Sequence, residues 1–289
     1  MIRRMTMLCM VLMLLLVCTA QAEPEGMAHY LLVGVDGWGV SVEGGARSDA
    51  IILASLDYDN DSIAFTSFAR DMLVEPVHRQ GMTKINMLVR AQVGEQALRD
   101  YIEQTFGVPI SGYFIINFSG AVDLIDAIGG VDIELTEEET GYLRHYAGDY
   151  DGYVLHSGLC RLNGAQALAY MRCRHLDSDF VRQQRQRNVL EAVLEELDGV
   201  TPLRAIRMFG AIWGMYRCDM TIREQLVLAK NLTKLEGAST QMHAIPAEGT
   251  FRYGESEGGI HGIEFDLEEN KALLGKWLGI GEYGEDGMK

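Results

Sequence analysis

Two stretches, HYLLVGV at residues 29–35 and AIILASLD at residues 50–57, constrain the fold more than any other part of the chain. Neither alternates cleanly between apolar and polar residues. A strand that is apolar on both sides has to be covered on both faces, so these two belong inside a sheet flanked by other layers. YDND is a tight turn, and SIAFTSF, residues 62–68, returns as a third strand antiparallel to the second. GEQALRDYIEQTFG, residues 94–107, is helical with a terminal glycine. GYFIINF is a fourth strand, SGAVDLIDAIGG a helix with a glycine stop, and VDIEL a fifth strand. A polar, Tyr-rich stretch over residues 136–159 precedes a short helix, NGAQALAYMR, and a long one, DFVRQQRQRNVLEAVLEEL. Helical segments over 201–216 and 221–236, a strand over 241–246, a Gly-rich loop and a last helix, DLEENKALLGKWLG, complete the pattern. Strands alternating with helices predict an α/β layered domain, a central mixed β-sheet flanked by helices.

The N-terminus has a different character. MIRR is a short basic lead, and the uncharged run MTMLCMVLMLLLVCTA follows it. Ala20 and Ala22 supply the small-x-small pattern of a signal peptidase site. Residues 1–22 are therefore expected to be a signal peptide or a membrane anchor, since the run falls a little short of the roughly 20 apolar residues that span a bilayer. Basic residues ahead of the run place the rest of the chain on the extracytoplasmic side of the membrane in either case. The three remaining cysteines, Cys160, Cys173 and Cys218, show no metal-ligand spacing and make no disulfide framework.

The chain carries a formal net charge of −16, which becomes −18 without the two arginines of residues 1–22. Such a surface repels nucleic acid, so no nucleic-acid partner is expected. Against that background, YMRCRHLDSDFVRQQRQR, residues 170–187, holds five arginines. Val189, Leu190, Val193, Leu194 and Leu197 form the apolar stripe of the long helix. Projected back at 3.6 residues per turn, Arg182 and Gln186 fall on that stripe, while Arg185 and Arg187 fall at its margins and read as ordinary surface charge. A guanidinium facing the core cannot shed its proton, so it must sit in a polar pocket or be paired. Asp177, Ser178 and Asp179 can cap the helix start. Arg172 and Arg174, one residue apart, point the same way if their connector is extended.

Acids and arginines recur at strand ends. GVD closes the first strand at Asp36, RSD (Arg47 to Asp49) opens the second, and SFARD closes the third with Arg70 and Asp71. Layered sheets hold ligands at strand ends. Two carboxylates, Asp36 and Asp49, beside several arginines suit a hard cation such as Mg²⁺ together with phosphates, the planar guanidiniums clamping phosphate oxygens in pairs. An Arg/Asp-rich cluster is also often a structural ion-pair network, and a lone Asp is more often a loop or cap residue than a metal ligand; both readings stay open on spacing alone. GWG and EGG match neither a P-loop nor a dinucleotide fingerprint. His78, His145 and His175 show no metal spacing.

The ordered set GVD…RSD, FARD, KIN, GYFIINFSG, DAIGGVDI, LNGAQALAYMRCRH and DSDFVRQQRQRNVL resembles the LytR-CpsA-Psr family of bacterial cell-envelope enzymes. The resemblance covers about residues 29–198, an expected catalytic core, and leaves residues 199–289 as a C-terminal portion packed on the same domain. It implies a membrane-anchored extracytoplasmic α/β enzyme that transfers a glycopolymer from a polyprenyl diphosphate carrier to peptidoglycan, with Mg²⁺ assisting and the polyprenyl chain in a hydrophobic tunnel. It further implies metal binding at Asp36 and Asp49, diphosphate binding at Arg47, Arg70, Arg172, Arg174 and Arg182 with Gln186, and cleft-lining roles for Lys84 and Asn86. Asp179 matches the family's acid before the last arginine and is the candidate general base. A carboxylate beside Arg182 should have a lowered pKa, so a purely orienting role for it stays open. Ala69 stands where the family commonly has proline. Plain diphosphate hydrolysis and a non-catalytic lipid-phosphate-binding or regulatory role are the alternatives.

Overall fold

The computed structural model describes residues 26–36, 47–78, 80–90, 94–173, 179–197, 216–235 and 237–280. The N-terminal run, the Gly-rich loop at 37–46, Arg174 and most of the expected helix over 201–216 lie outside these residues. Among the described residues, no helix is long and apolar enough to cross a membrane.

The first three strands fall where the sequence places them: β1 (Met27–Val35), β2 (Ser48–Asp57) and β3 (Ser62–Phe68). Two short strands, β4 (Leu73–Val74) and β5 (Thr83–Lys84), and a 3-10 helix (Ile85–Arg90) follow. Then come α1 (Glu95–Phe106), β6 (Gly112–Asn117), α2 (Phe118–Ile128) and β7 (Val131–Leu135). The polar, Tyr-rich stretch over residues 136–159 contains α3 (Glu137–Tyr146) and the start of β8 (Gly158–Leu162). The helix α3 exists because Thr136 and Glu139 form a reciprocal capping box, which satisfies the first free N–H groups of an otherwise polar segment. Next are α4 (Gly164–Met171), α5 (Asp179–Leu197), β9 (Tyr216–Cys218), α6 (Ile222–Leu232) and β10 (Ser239–Ile245). A hairpin, β11 (Phe251–Glu255) and β12 (His261–Phe265), stands where a Gly-rich loop was expected, and α7 (Leu267–Trp277) follows.

The central sheet has six strands in the order β10-β3-β2-β1-β6-β9. It is mixed: β1 pairs parallel with β6 and β10 parallel with β3, and the other pairings are antiparallel. Alternation along the strands sends their side chains to two covered faces. Leu31, Val33, Ile51, Leu53 and Ile115 join one core with α1, the 3-10 helix and Leu274 and Leu278 from the chain's last helical turns. Leu32, Ile52, Ala54 and Phe114 face the other way, toward Leu190 and Leu194 of α5. A smaller core under the β7–β8 pair joins α2, α3, α4 and α5.

Candidate functional site

Between the second sheet face and the helices α2, α4 and α5, packing leaves a cavity of about 350 Å³. Its walls are almost wholly apolar: Leu32 and Ile52 from the sheet, Leu124 from α2, and Val189, Leu190 and Val193 from α5 are typical. Its polar lining is a few residues, namely Asp49, Asn117, Arg172, Arg182, Gln186 and Tyr216.

Local structure explains how each arrives there. The β1–β2 register runs Gly34↔Ala50 and then Val35↔Ser48, so Asp49 is the extra residue of a β-bulge. In a regular strand, Asp49 and Ala50 would face opposite sides of the sheet. A bulge relaxes that alternation, and Asp49 and Ala50 both border the cavity. Arg182 and Gln186 share the inward side of α5 with Val189, and the Arg182 guanidinium is enclosed, with the residue 2% exposed. Asn117 ends β6 and caps α2, its Oδ1 accepting from Gly120 N–H at 2.9 Å. Arg172 is the C-cap of α4 in a right-handed conformation, so this end of the Arg172–Arg174 connector is not extended as supposed. Its guanidinium instead lies over the Phe118 ring at 4.3 Å, a cation–π contact that holds it at the cavity wall.

A charged network surrounds Asp49. Arg70 Nη1 donates to Asp49 Oδ1 at 2.7 Å, and Arg70 Nε lies 3.3 Å from Asp71 Oδ2. Lys84 Nζ donates to Asp71 Oδ1 at 2.7 Å. The Asp71 carboxyl lies below its ordinary range: burial pushes it up, but the Lys84 hydrogen bond and the charges of Arg70, Lys84 and Arg182 more than offset that. The pull of Arg182 on Asp71 ties the enclosed arginine to the same charged cluster. Asn86 is buried, donates its N–H to the Arg70 carbonyl at 3.2 Å, and accepts from Ser48 Oγ at 3.4 Å. Asp36, at the open end of β1, receives the Arg47 N–H on its carboxylate and donates its own N–H to the Arg47 carbonyl at 3.0 Å. Both of these residues are exposed.

The structure thus gathers Asp49, Arg70, Arg172, Arg182, Gln186 and Lys84 at and around the cavity, with Asn86 behind them and Asp36 and Arg47 paired at the adjoining strand ends. Arg174 and the Asp179 side chain lie outside the described residues. Arg70 serves an ion-pair network and is joined to the cavity lining through Asp49. One expectation is overturned. Arg185 is no surface charge: it is 3% exposed and ion-paired with Glu139 at 2.7 Å. Arg187 is half-buried, and burial lowers its pKa. Sequence reasoning named Asp71 at a strand end without giving it a role, and it passed over Asn117 and Phe118, although a strand ending in Asn ahead of a helix is a readable capping signal.

A model of the LytR_cpsA_psr family matches residues 18–272. The chain belongs to the LytR_cpsA_psr family. That match runs well past residue 198, into the region left without a counterpart in the motif comparison. Among relatives, the chain is 34% identical over 180 residues to the polyisoprenyl-teichoic acid–peptidoglycan teichoic acid transferase TagU of Bacillus mycoides, covering 62% of this chain and 55% of that protein. The protein of the same name from Halalkalibacterium halodurans is 33% identical over 230 residues, covering 74% and 71%. The chain thus spans little more than half the length of the first of these relatives. The fold of this family member is also that of solved structures. It is similar to the Lin1025 protein from Listeria innocua (TM-score 0.64, 25% identity, 89% of this chain and 100% of that one). It is likewise similar to TagT bound to LI-WTA (TM-score 0.70, 23% identity, 91% and 95%).

Proposed function

We propose that the protein transfers a glycopolymer from a polyprenyl diphosphate carrier to a sugar hydroxyl of peptidoglycan, releasing polyprenyl phosphate, on the extracytoplasmic side of the cell membrane. One observation carries this reading: an apolar cavity whose few polar groups include an enclosed guanidinium, Arg182, and that of an exposed arginine, Arg172. Such a space is complementary to a long apolar chain ending in an anionic head. The names of the TagU relatives, which specify teichoic acid transfer to peptidoglycan, support the same chemistry.

Asp36 and Asp49 offer two hard carboxylate ligands at neighbouring strand ends, the donor set that Mg²⁺ takes together with substrate phosphates. When bound, Mg²⁺ supplies positive charge that withdraws electron density from the phosphate oxygens. The chain's own residues do the rest. Arg172, Arg182 and Gln186 hold the diphosphate against the cavity mouth. Arg70, oriented by Asp49 and Asp71, adds a second cationic side. The acceptor hydroxyl attacks the glycopolymer-side phosphorus, the bond from that phosphorus to the bridging oxygen breaks, and the electron pair stays with polyprenyl phosphate. Arginines already in place stabilise the charge growing on the bridging oxygen without having to reorganise. Asp179, the first residue of α5, is the candidate acceptor of the hydroxyl proton.

The test is a transfer assay with a polyprenyl diphosphate-linked saccharide and a peptidoglycan acceptor, with and without Mg²⁺. Arg182→Ala is expected to lower kcat by about 10²–10³-fold, as loss of an oxyanion-type donor does. Unchanged turnover in that variant would overturn the role of Arg182. Release of saccharide phosphate with acceptor present would point to hydrolysis instead.

A further inference from the structure

Arg185 and Glu139 form a buried ion pair that the proposed chemistry does not use, since neither lines the cavity. Buried pairs of this kind contribute little net stability compared with apolar residues of similar size. The same helix packs Val189 and Ala192 into the smaller core, so an apolar residue at 185 would serve the packing alone. What the pair adds is direction. Glu139 is itself fixed: its Oε2 accepts from Thr136 N–H at 3.0 Å and from Thr136 Oγ1 at 3.2 Å, completing the cap of α3. Its other oxygen, Oε1, accepts from Arg185 Nε at 2.7 Å. Arg185 Nη1 then donates to the Cys173 carbonyl at 3.3 Å, and the guanidinium lies 5.8 Å from the centre of the Tyr170 ring. One side chain therefore ties three segments together: the start of α3, the exit of α4 and the first turns of α5. Cys173 directly follows Arg172. Arg185 lies three residues after Arg182 and one before Gln186, so fixing its azimuth and height fixes theirs.

We propose that Arg185, anchored by Glu139, is a positioning residue that sets Arg172, Arg182 and Gln186 in register for the anionic head. The proposal rests on the function proposed above, and it assigns a purpose to a charge that the helical pattern placed at the surface. Arg185 touches no substrate in this role.

Binding of farnesyl diphosphate and of farnesol, measured by calorimetry on the full chain, tests it without needing turnover. Arg185→Gln keeps a donor on a shorter side chain and removes the charge; Arg185→Lys restores the charge without the fork. The expected result is a loss of farnesyl diphosphate affinity in Arg185→Gln on the order of 10- to 100-fold, the scale of a misplacement near 1 Å. Arg185→Lys should recover part of it, and farnesol binding should be unchanged in both. Leu274→Ala, a core change on the other sheet face, controls for lost stability and should leave both affinities intact. If Arg185→Gln does not fold, Arg185→Lys decides alone: wild-type affinity overturns the proposal, and a selective loss for the diphosphate supports it. Equal affinity in wild type and variants, or parallel losses for both ligands and in Leu274→Ala, overturns it while the functional reading stands. A wild-type protein that binds farnesol but not farnesyl diphosphate overturns the functional reading, and this proposal with it.

Discussion

At the scale of single residues, this protein places charge where water is scarce and controls it by local partners. Asp71 keeps its carboxylate because Lys84 and Arg70 contact it. His29 does the opposite. It is buried on β1, with Nδ1 2.8 Å from Ser55 Oγ, and burial lowers its pKa to about 4. In the unfolded chain the imidazole takes up a proton near its ordinary 6.5, whereas the folded protein resists until about 4. The stability that His29 contributes is therefore complete above pH 6.5 and is lost as pH falls through that window, by roughly 3 kcal/mol at 1.36 kcal/mol per pKa unit. Urea midpoints at pH 7 and pH 4 should show a smaller acid loss for His29→Asn than for wild type. An equal loss would place the acid sensitivity in other groups. The arginines at the cavity belong to this scale as well, and the kcat of Arg182→Ala is its most direct measurement.

Elements matter here through how closely they approach one another. The start of α4 abuts the backbone of α2: a Cβ on Gly164 would lie 2.2 Å from the Val122 carbonyl oxygen, and Gly164 N–H donates to Asp126 Oδ1 at 2.7 Å. That obstacle is backbone and cannot swing aside, so Gly164→Ala must push the two helices apart. Overpacking of this sort costs about 1–3 kcal/mol. Because α4 carries Leu168, Met171 and Arg172 at the cavity, the displacement should also weaken farnesyl diphosphate binding. Thermal melting and calorimetry on this variant measure the two effects; a wild-type melt with wild-type binding would show that α2 and α4 have room to spare. The capping boxes of α3, α4 and α6 act at the same scale, each fixing where a polar or weakly amphipathic helix begins.

Across the whole molecule, the C-terminal third is built into the core. The strand β10 fills an edge of the central sheet against β3, Ile263 of β12 donates its N–H to the Asp71 carbonyl at 2.8 Å, and Leu274 and Leu278 complete the main core. A chain ending at residue 235 would uncover the β3 edge and these apolar contacts, so it should lose near-ultraviolet circular dichroism and soluble yield relative to the full chain. A soluble, cooperatively folding fragment would show that the last strands and helices are an appendage. Sequence by itself determined the layered α/β class, the first three strands and the inward side of α5, because apolar periodicity records which sides of an element are covered. It also singled out the strand-end acids and arginines as candidate ligands. Other features were illegible: the bulge at Asp49 beside the cavity, the burial of Arg185 and the pairing of β10 with β3. None has a local signature, since each depends on a partner far along the chain: Gly34 and Val35 opposite Ser48 and Ala50, Glu139 opposite Arg185, and β3 opposite β10. Tertiary structure alone decided those pairings, and through them the shape and charge of the cavity, because a side chain's environment is set by what packs against it rather than by its neighbours in sequence.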